Sequence, residues 1–170
     1  MSNASVFYSL QKILTKYRSI LGGITETQFQ TTPPIGGWSY SEVYSHIFDA
    51  SILSLIPLKK GLDNIGEEKP TAFVVRLILF YGSLPPAKKY KVPKRLESRV
   101  KKINKEEAEA FILQFLAELD TVYPKIDKAD EKIKNLHPRL GYLNASQWLR
   151  FIEIHLKHHL KQLKRIEKSF

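Results

Sequence analysis

Asn144 to Glu167 reads NASQWLRFIEIHLKHHLKQLKRIE, and this stretch decides the fold class. Trp148, Ile152, His155, His159, Leu163 and Ile166 recur at three- and four-residue steps, the spacing of one helix face. Asn144 followed by Gln147 has capping-box spacing, so the helix opens there. Two histidines stand on the apolar stripe where leucine is expected. At i and i+4 they share one face with Cβ atoms about 6 Å apart, close enough for both imidazoles to reach a single ion.

The same periodicity extends outward along the chain. Val6, Phe7, Leu10, Ile13, Leu14, Tyr17, Ile20 and Leu21 predict a helix over about residues 5–21, ended by Gly22-Gly23. Thr25 to Gly37, with Pro33-Pro34 and Gly36-Gly37, reads as a connector. Ser39 with Glu42 opens a second helix whose buried side is Val43, Tyr44, Ile47, Ala50 and Leu53, with Pro57 and Gly61 weakening its end. Phe73 to Tyr81 is almost wholly apolar, and with no strand partner evident it is assigned as a buried helix. A third long helix starts near Asn104, carries Ala108, Phe111, Ile112, Phe115, Leu119 and Val122 inward, and is stopped by Pro124. A polar stretch and a turn at Gly141 lead to the last helix. The expected architecture is all-α: one domain over residues 1–170, a four-helix bundle without substantial sheet.

Composition excludes several chemistries. The chain has 170 residues and no cysteine, so disulfides, thiolate metal sites and a cysteine nucleophile are ruled out. No segment reaches the roughly 18 apolar residues of a membrane span, and Met1 to Tyr8 does not read as a secretory signal, so a cytoplasmic protein is expected. The net charge of +10 is concentrated between Lys88 and Lys105, where nine Lys and Arg face only Glu97. That run reads either as a solvated loop and helix face or as an attractor for phosphates, anionic lipid or an acidic small molecule.

His46 lies beside the buried stripe of the second helix, three residues after Val43 and four before Ala50. Placed opposite the last helix it would supply a third nitrogen to His155 and His159. Three protein ligands leave a position open, the arrangement of a catalytic site. No His-Glu-x-x-His is present, because Leu156 follows His155. His158 is off the stripe, and Asp49, about a turn after His46, either orients an imidazole or faces water.

Trp38-Ser39 with Glu42 and His46, and then His137-Pro138, Gly141, Gln147-Trp148, His155, His158-His159 and Gln162, resemble in order and spacing the DinB/YfiT-like putative metalloenzymes. The resemblance implies a bundle of unusual connectivity, a homodimer, and nickel or zinc held by His46, His155 and His159. It also implies enzymes that use low-molecular-weight thiols, such as mycothiol-dependent isomerases and bacillithiol S-transferases. The expected chemistry is activation of a thiol cofactor against a small electrophilic substrate, with Lys88, Lys89 or Arg95 meeting its carboxylates. A second reading is hydrolysis through metal-activated water, with His158 or His137 as base. A third is a non-catalytic module, even for nucleic acid, although Tyr90 is the only aromatic in the basic run and no helix-turn-helix spacing is visible.

Overall fold

The computed structural model describes residues 2–85 and 99–170. Its long helices are α1 (Asn3–Gly23), α3 (Tyr40–Leu62), α5 (Lys105–Ile126) and α6 (Ala145–Glu167), with short helices α2 (Glu26–Gln30) and α4 (Phe73–Tyr81) between them. Strands β1 (Glu67–Glu68), β2 (Ile133–His137) and β3 (Gly141–Leu143) complete the order. The expected four-helix bundle is present. Full capping boxes start three of its helices, pairing Ser39 with Glu42, Asn104 with Glu107 and Asn144 with Gln147. Each box satisfies backbone N–H groups that the first helical turn cannot bond.

α3 packs against α5 and α6, and α1 packs against the same two. Helices consecutive in the chain, α1 with α3 and α5 with α6, are therefore diagonal rather than adjacent. Short loops would make consecutive helices neighbours, but here long connectors intervene. The first contains α2, whose Phe29 is fully buried, and the second contains the β2–β3 hairpin. The consequence is functional, because α3 and α6 become the closest-packed pair and bring His46 beside His155 and His159.

Several local expectations are corrected. The connector after α1 contains α2, capped by Thr25 accepting from the Gln28 N–H at 3.1 Å. The polar stretch before α6 folds into a hairpin in which His137 pairs with Gly141 and Asn135 with Leu143, and β1 adds antiparallel to its other edge. Gly141 at φ +73° takes the left-handed conformation the hairpin needs there. Pro124 does not stop its helix as expected, since α5 continues to Ile126, and α3 runs through Pro57 to end at Leu62, beside the expected weak point at Gly61. A proline inside a helix costs about 3 kcal/mol, and burial of Leu58 and Ile126 just beyond each ring opposes that cost. α4 forms over the expected residues but is not a buried helix, since only Val75 and Leu79 are buried.

The core is aromatic at its centre. Tyr17, Tyr44, Phe29 and Phe48 are fully buried and meet edge to face or tilted. The Tyr44 hydroxyl donates to the Tyr17 carbonyl at 2.7 Å, and the Tyr17 hydroxyl donates to the Leu156 carbonyl at 2.9 Å. This relay ties α3 to α1 and α1 to α6 beside His46 and His155. Among the described residues, no helix is long and apolar enough to cross a membrane.

Candidate metal centre

The capping box at Ser39 fixes where α3 begins, and His46 follows on its inner side; the box at Asn144 does the same for α6. The three imidazoles converge where these helices pack. Ring centroids lie 5.5 Å apart for His46 and His155, 5.0 Å for His46 and His159, and 4.8 Å for His155 and His159. The interplanar angles, 89°, 65° and 78°, are those of T-shaped contacts, so the rings do not stack face to face. One ligand nitrogen from each residue lies within 4.8 Å of the others.

The fit to a cation can be tested on this geometry. His155 Nε2 and His159 Nε2 are 3.2 Å apart. Two nitrogens each about 2.0–2.1 Å from one tetrahedral ion would be separated by roughly 3.3 Å. His159 Nδ1 faces Gln162 Oε1 at 2.8 Å. An amide oxygen only accepts, so Nδ1 carries the proton and Nε2 keeps its lone pair toward His155. Without a cation between them, His155 must then carry its own proton on Nε2 to make the short contact favourable.

Burial holds the cluster neutral. It pushes His46 down to about 4, only partly opposed by the Asp49 charge. His159 is pushed to about 3, by burial first and then by His46 and His158. His155 keeps some accessible surface, yet burial and the neighbouring imidazoles drive it well below 6.5. Neutral imidazoles are the ligating form, and an all-nitrogen set suits divalent transition metals. Trp38 packs tilted against His46 at 5.1 Å, and Phe151 stacks on His155 at 5.5 Å, so apolar rings wall the cluster.

The other candidates lie elsewhere. Asp49 spends both oxygens on Arg99, at 2.7 and 2.6 Å, and orients no imidazole by hydrogen bonding. His137 sits on β2 with its ring against Trp148 and Phe151. Its Nδ1 accepts from the Arg139 and Leu140 N–H groups at 3.1 and 3.0 Å, which closes the hairpin turn. That nitrogen is therefore no free base, and burial together with Arg139 lowers His137 to about 4. His158 is half-buried beside His159, with centroids 5.2 Å apart. Burial, Arg165 and Lys161 all hold it below the ordinary value. Lys88, Lys89 and Arg95 lie outside the described residues. The described end of the basic run is engaged in packing: Lys102 and Lys105 donate to the Gln30 and Ile24 carbonyls, and Ser41 bonds both backbone groups of Ile103. Phe151 escaped the sequence reading, although its position four residues before His155 puts it on the same face.

The sequence model of the DinB superfamily matches residues 9–163. The chain belongs to the DinB superfamily. No match was found among curated proteins. Among solved structures, this DinB superfamily chain is similar to YfiT from Bacillus subtilis, described as a "probable metal-dependent hydrolase with an unusual four-helix bundle topology". The TM-score is 0.68 at 16% identity, covering 99% of this chain and 89% of that one. It is also similar to TT2238, a four-helix bundle protein (TM-score 0.61, 19% identity, covering 96% and 99%). The mycothiol-dependent maleylpyruvate isomerase matches with TM-score 0.62 and 14% identity over 96% of this chain, which spans 61% of that longer one. At these identities the likeness is one of fold, and within that fold the three-histidine cluster is a possible divalent-metal site.

Proposed function

We propose that the chain acts as a single-domain metalloenzyme in which His46, His155 and His159 hold one nickel or zinc ion, and that it activates a low-molecular-weight thiol for S-transferase or isomerase chemistry on a small electrophile. The observation that carries this reading is the convergence of three neutral imidazoles, their ligand nitrogens within 4.8 Å of one another, with no carboxylate in the cluster among the described residues. When bound, a divalent ion supplies Lewis acidity that lowers the pKa of a thiol or a water held at its open position.

The chain's own residues set the conditions. Gln162 holds the His159 proton on Nδ1 and aims Nε2 inward. Trp38 and Phe151 keep bulk water from two of the rings. Asp49 and the His137 Nδ1 are committed to Arg99 and to the hairpin, which favours chemistry needing no strong general base. A thiol, once acidified, is such a nucleophile. Hydrolysis is the second reading, supported by the likeness to YfiT and by His158, whose lowered pKa leaves it neutral and able to accept a proton at pH 7.

Tag-free protein should carry one equivalent of metal and should consume small thiols with an electrophile, and His155→Ala should lose both properties. Thiol-independent ester or amide hydrolysis with the same His155 dependence would select the second reading. Metal-free protein, or activity untouched by His155→Ala, would overturn both.

A further inference from the structure

The face of α6 that carries His155 and His159 begins with Trp148 and Phe151, and His137 of the hairpin rests on both of these rings. The His137 ring lies 4.4 Å from Phe151 and 5.1 Å from Trp148, and Phe151 in turn stacks on His155 at 5.5 Å. His137 is thus two ring contacts from the three-imidazole cluster, a span that one small molecule can bridge.

The turn after β2 decides what His137 can do there. The Arg139 and Leu140 N–H groups both donate to its Nδ1, at 3.1 and 3.0 Å. A ring nitrogen that accepts carries no proton, so the proton of the neutral ring sits on Nε2. That Nε2–H has no acceptor among the described residues, and the residue is half-buried, so a ligand can reach it. Beside it the Trp148 Nε1–H is buried and also lacks a partner. The corner holds two N–H donors and no acceptor of its own, whereas buried donors are as a rule paired. The Trp148 group is covered and marks the missing acceptor, while His137 offers the reachable donor. Arg139 adds positive charge at the same turn, which favours an anionic oxygen over a neutral one.

We propose that the His137 Nε2–H anchors a carboxylate oxygen of a small ligand whose other end lies at the His46, His155 and His159 cluster. What that other end does rests on the metal-centred reading proposed for the cluster. The anchor itself selects the ligand class: short molecules that carry a carboxylate a few bonds from the group held at the cluster. His137 is then a donor that fixes orientation, not a base. Its Nδ1, spent on the hairpin turn, keeps the ring and its donor in place.

Zinc-loaded wild type, His137→Asn and His137→Gln should be titrated with 3-mercaptopropionate and with 1-propanethiol, a thiol of similar length without the carboxylate. Asparagine places its Oδ1 where Nδ1 stands, so it can accept the two turn N–H groups but offers no donor at Nε2. Glutamine does the reverse. The wild type should bind the carboxylate thiol roughly tenfold more tightly. His137→Asn should bind both thiols alike at an unchanged melting temperature, and His137→Gln should recover part of the preference. Equal affinities in the wild type would overturn the proposal, as would a preference that survives in His137→Asn. If neither thiol binds, or zinc itself does not, the reading of the cluster fails and the anchor is judged without it. Propionate added to metal-free protein should then shift the His137 Nε2 signal in nitrogen-15 NMR, and an unmoved signal would overturn the anchor too.

Discussion

α6 carries two buried polar groups on different sides, and they are built on opposite rules. On one side Glu153 is fully buried and saturated: Arg150 and Lys157 both bond its carboxylate, and Arg150 also donates to the Leu79 carbonyl of α4. Burial alone would raise the Glu153 carboxyl, but hydrogen bonds from Lys157 and Ser9 and the Arg150 charge outweigh it and hold it below 4.5. On the other side the ring nitrogens of His155 and His159 converge with one from His46, with no acidic partner in the cluster among the described residues. A saturated cluster holds the fold together. An unsaturated, convergent one is available to a ligand.

Acid should separate the two first and by the largest amount. In metal-free protein His46 and His137 titrate near 4 and His159 near 3, against about 6.5 when unfolded. Between pH 6.5 and 4 the unfolded chain therefore binds more protons than the native one, and stability falls as pH falls. The slope reaches up to about 1.4 kcal/mol per pH unit for each imidazole. Denaturant melts after chelation should show a loss of about 3–6 kcal/mol between pH 7 and pH 5, while Glu153 stays ionised. The Glu153 contribution is present above its unfolded pKa and is lost only as pH falls through its lowered native value. A flat profile down to pH 5 would mean that the imidazoles are hydrated.

Glu153→Ala attacks the saturated side. It strands the Arg150 charge in the interior and should cost about 3–5 kcal/mol, read as a fall in Tm, with zinc affinity of the folded protein within about threefold of the wild type. If zinc binding collapses together with stability, the two sides are not independent.

His155→Ala attacks the other. Zinc at about 100 times its Kd should raise wild-type stability by about 2.7 kcal/mol, and the variant should show no such rise. Calorimetry and thermal melts with and without zinc check this, and an equal zinc shift in both proteins would place the ion elsewhere.

The smallest expected effect sharpens the comparison most. Gln162→Leu removes the acceptor that fixes the His159 proton and should weaken zinc about 10–100-fold, whereas Gln162→Glu should retain binding. His158→Ala, outside the cluster, should change affinity less than about threefold. Nitrogen-15 NMR of the metal-free protein should find the His159 proton on Nδ1. Finding it on Nε2 would show that Gln162 points its NH₂, not its oxygen, at the ring.

Much of this was legible in the sequence because it is local. A capping box needs only residues three apart, so Ser39 with Glu42 and Asn144 with Gln147 announced their helices. The 3.6-residue period likewise placed His155 and His159 on one face of α6 and His46 beside the buried stripe of α3. Pro124 misled because a proline's cost is local while its compensation is not: Ile126, just beyond it, is buried in the core. The hairpin was hidden in polar residues whose pairing depends on a partner strand. Glu153, a surface residue by its type, is buried only because Arg150 and Lys157 reach it and α4 covers Arg150. The pairing of α3 with α6 is likewise tertiary. Periodicity says which face of a helix turns inward, but not which helix it meets. That choice belonged to the long connectors that place α1 and α3, and α5 and α6, on diagonals, and it turned three separate histidines into one cluster.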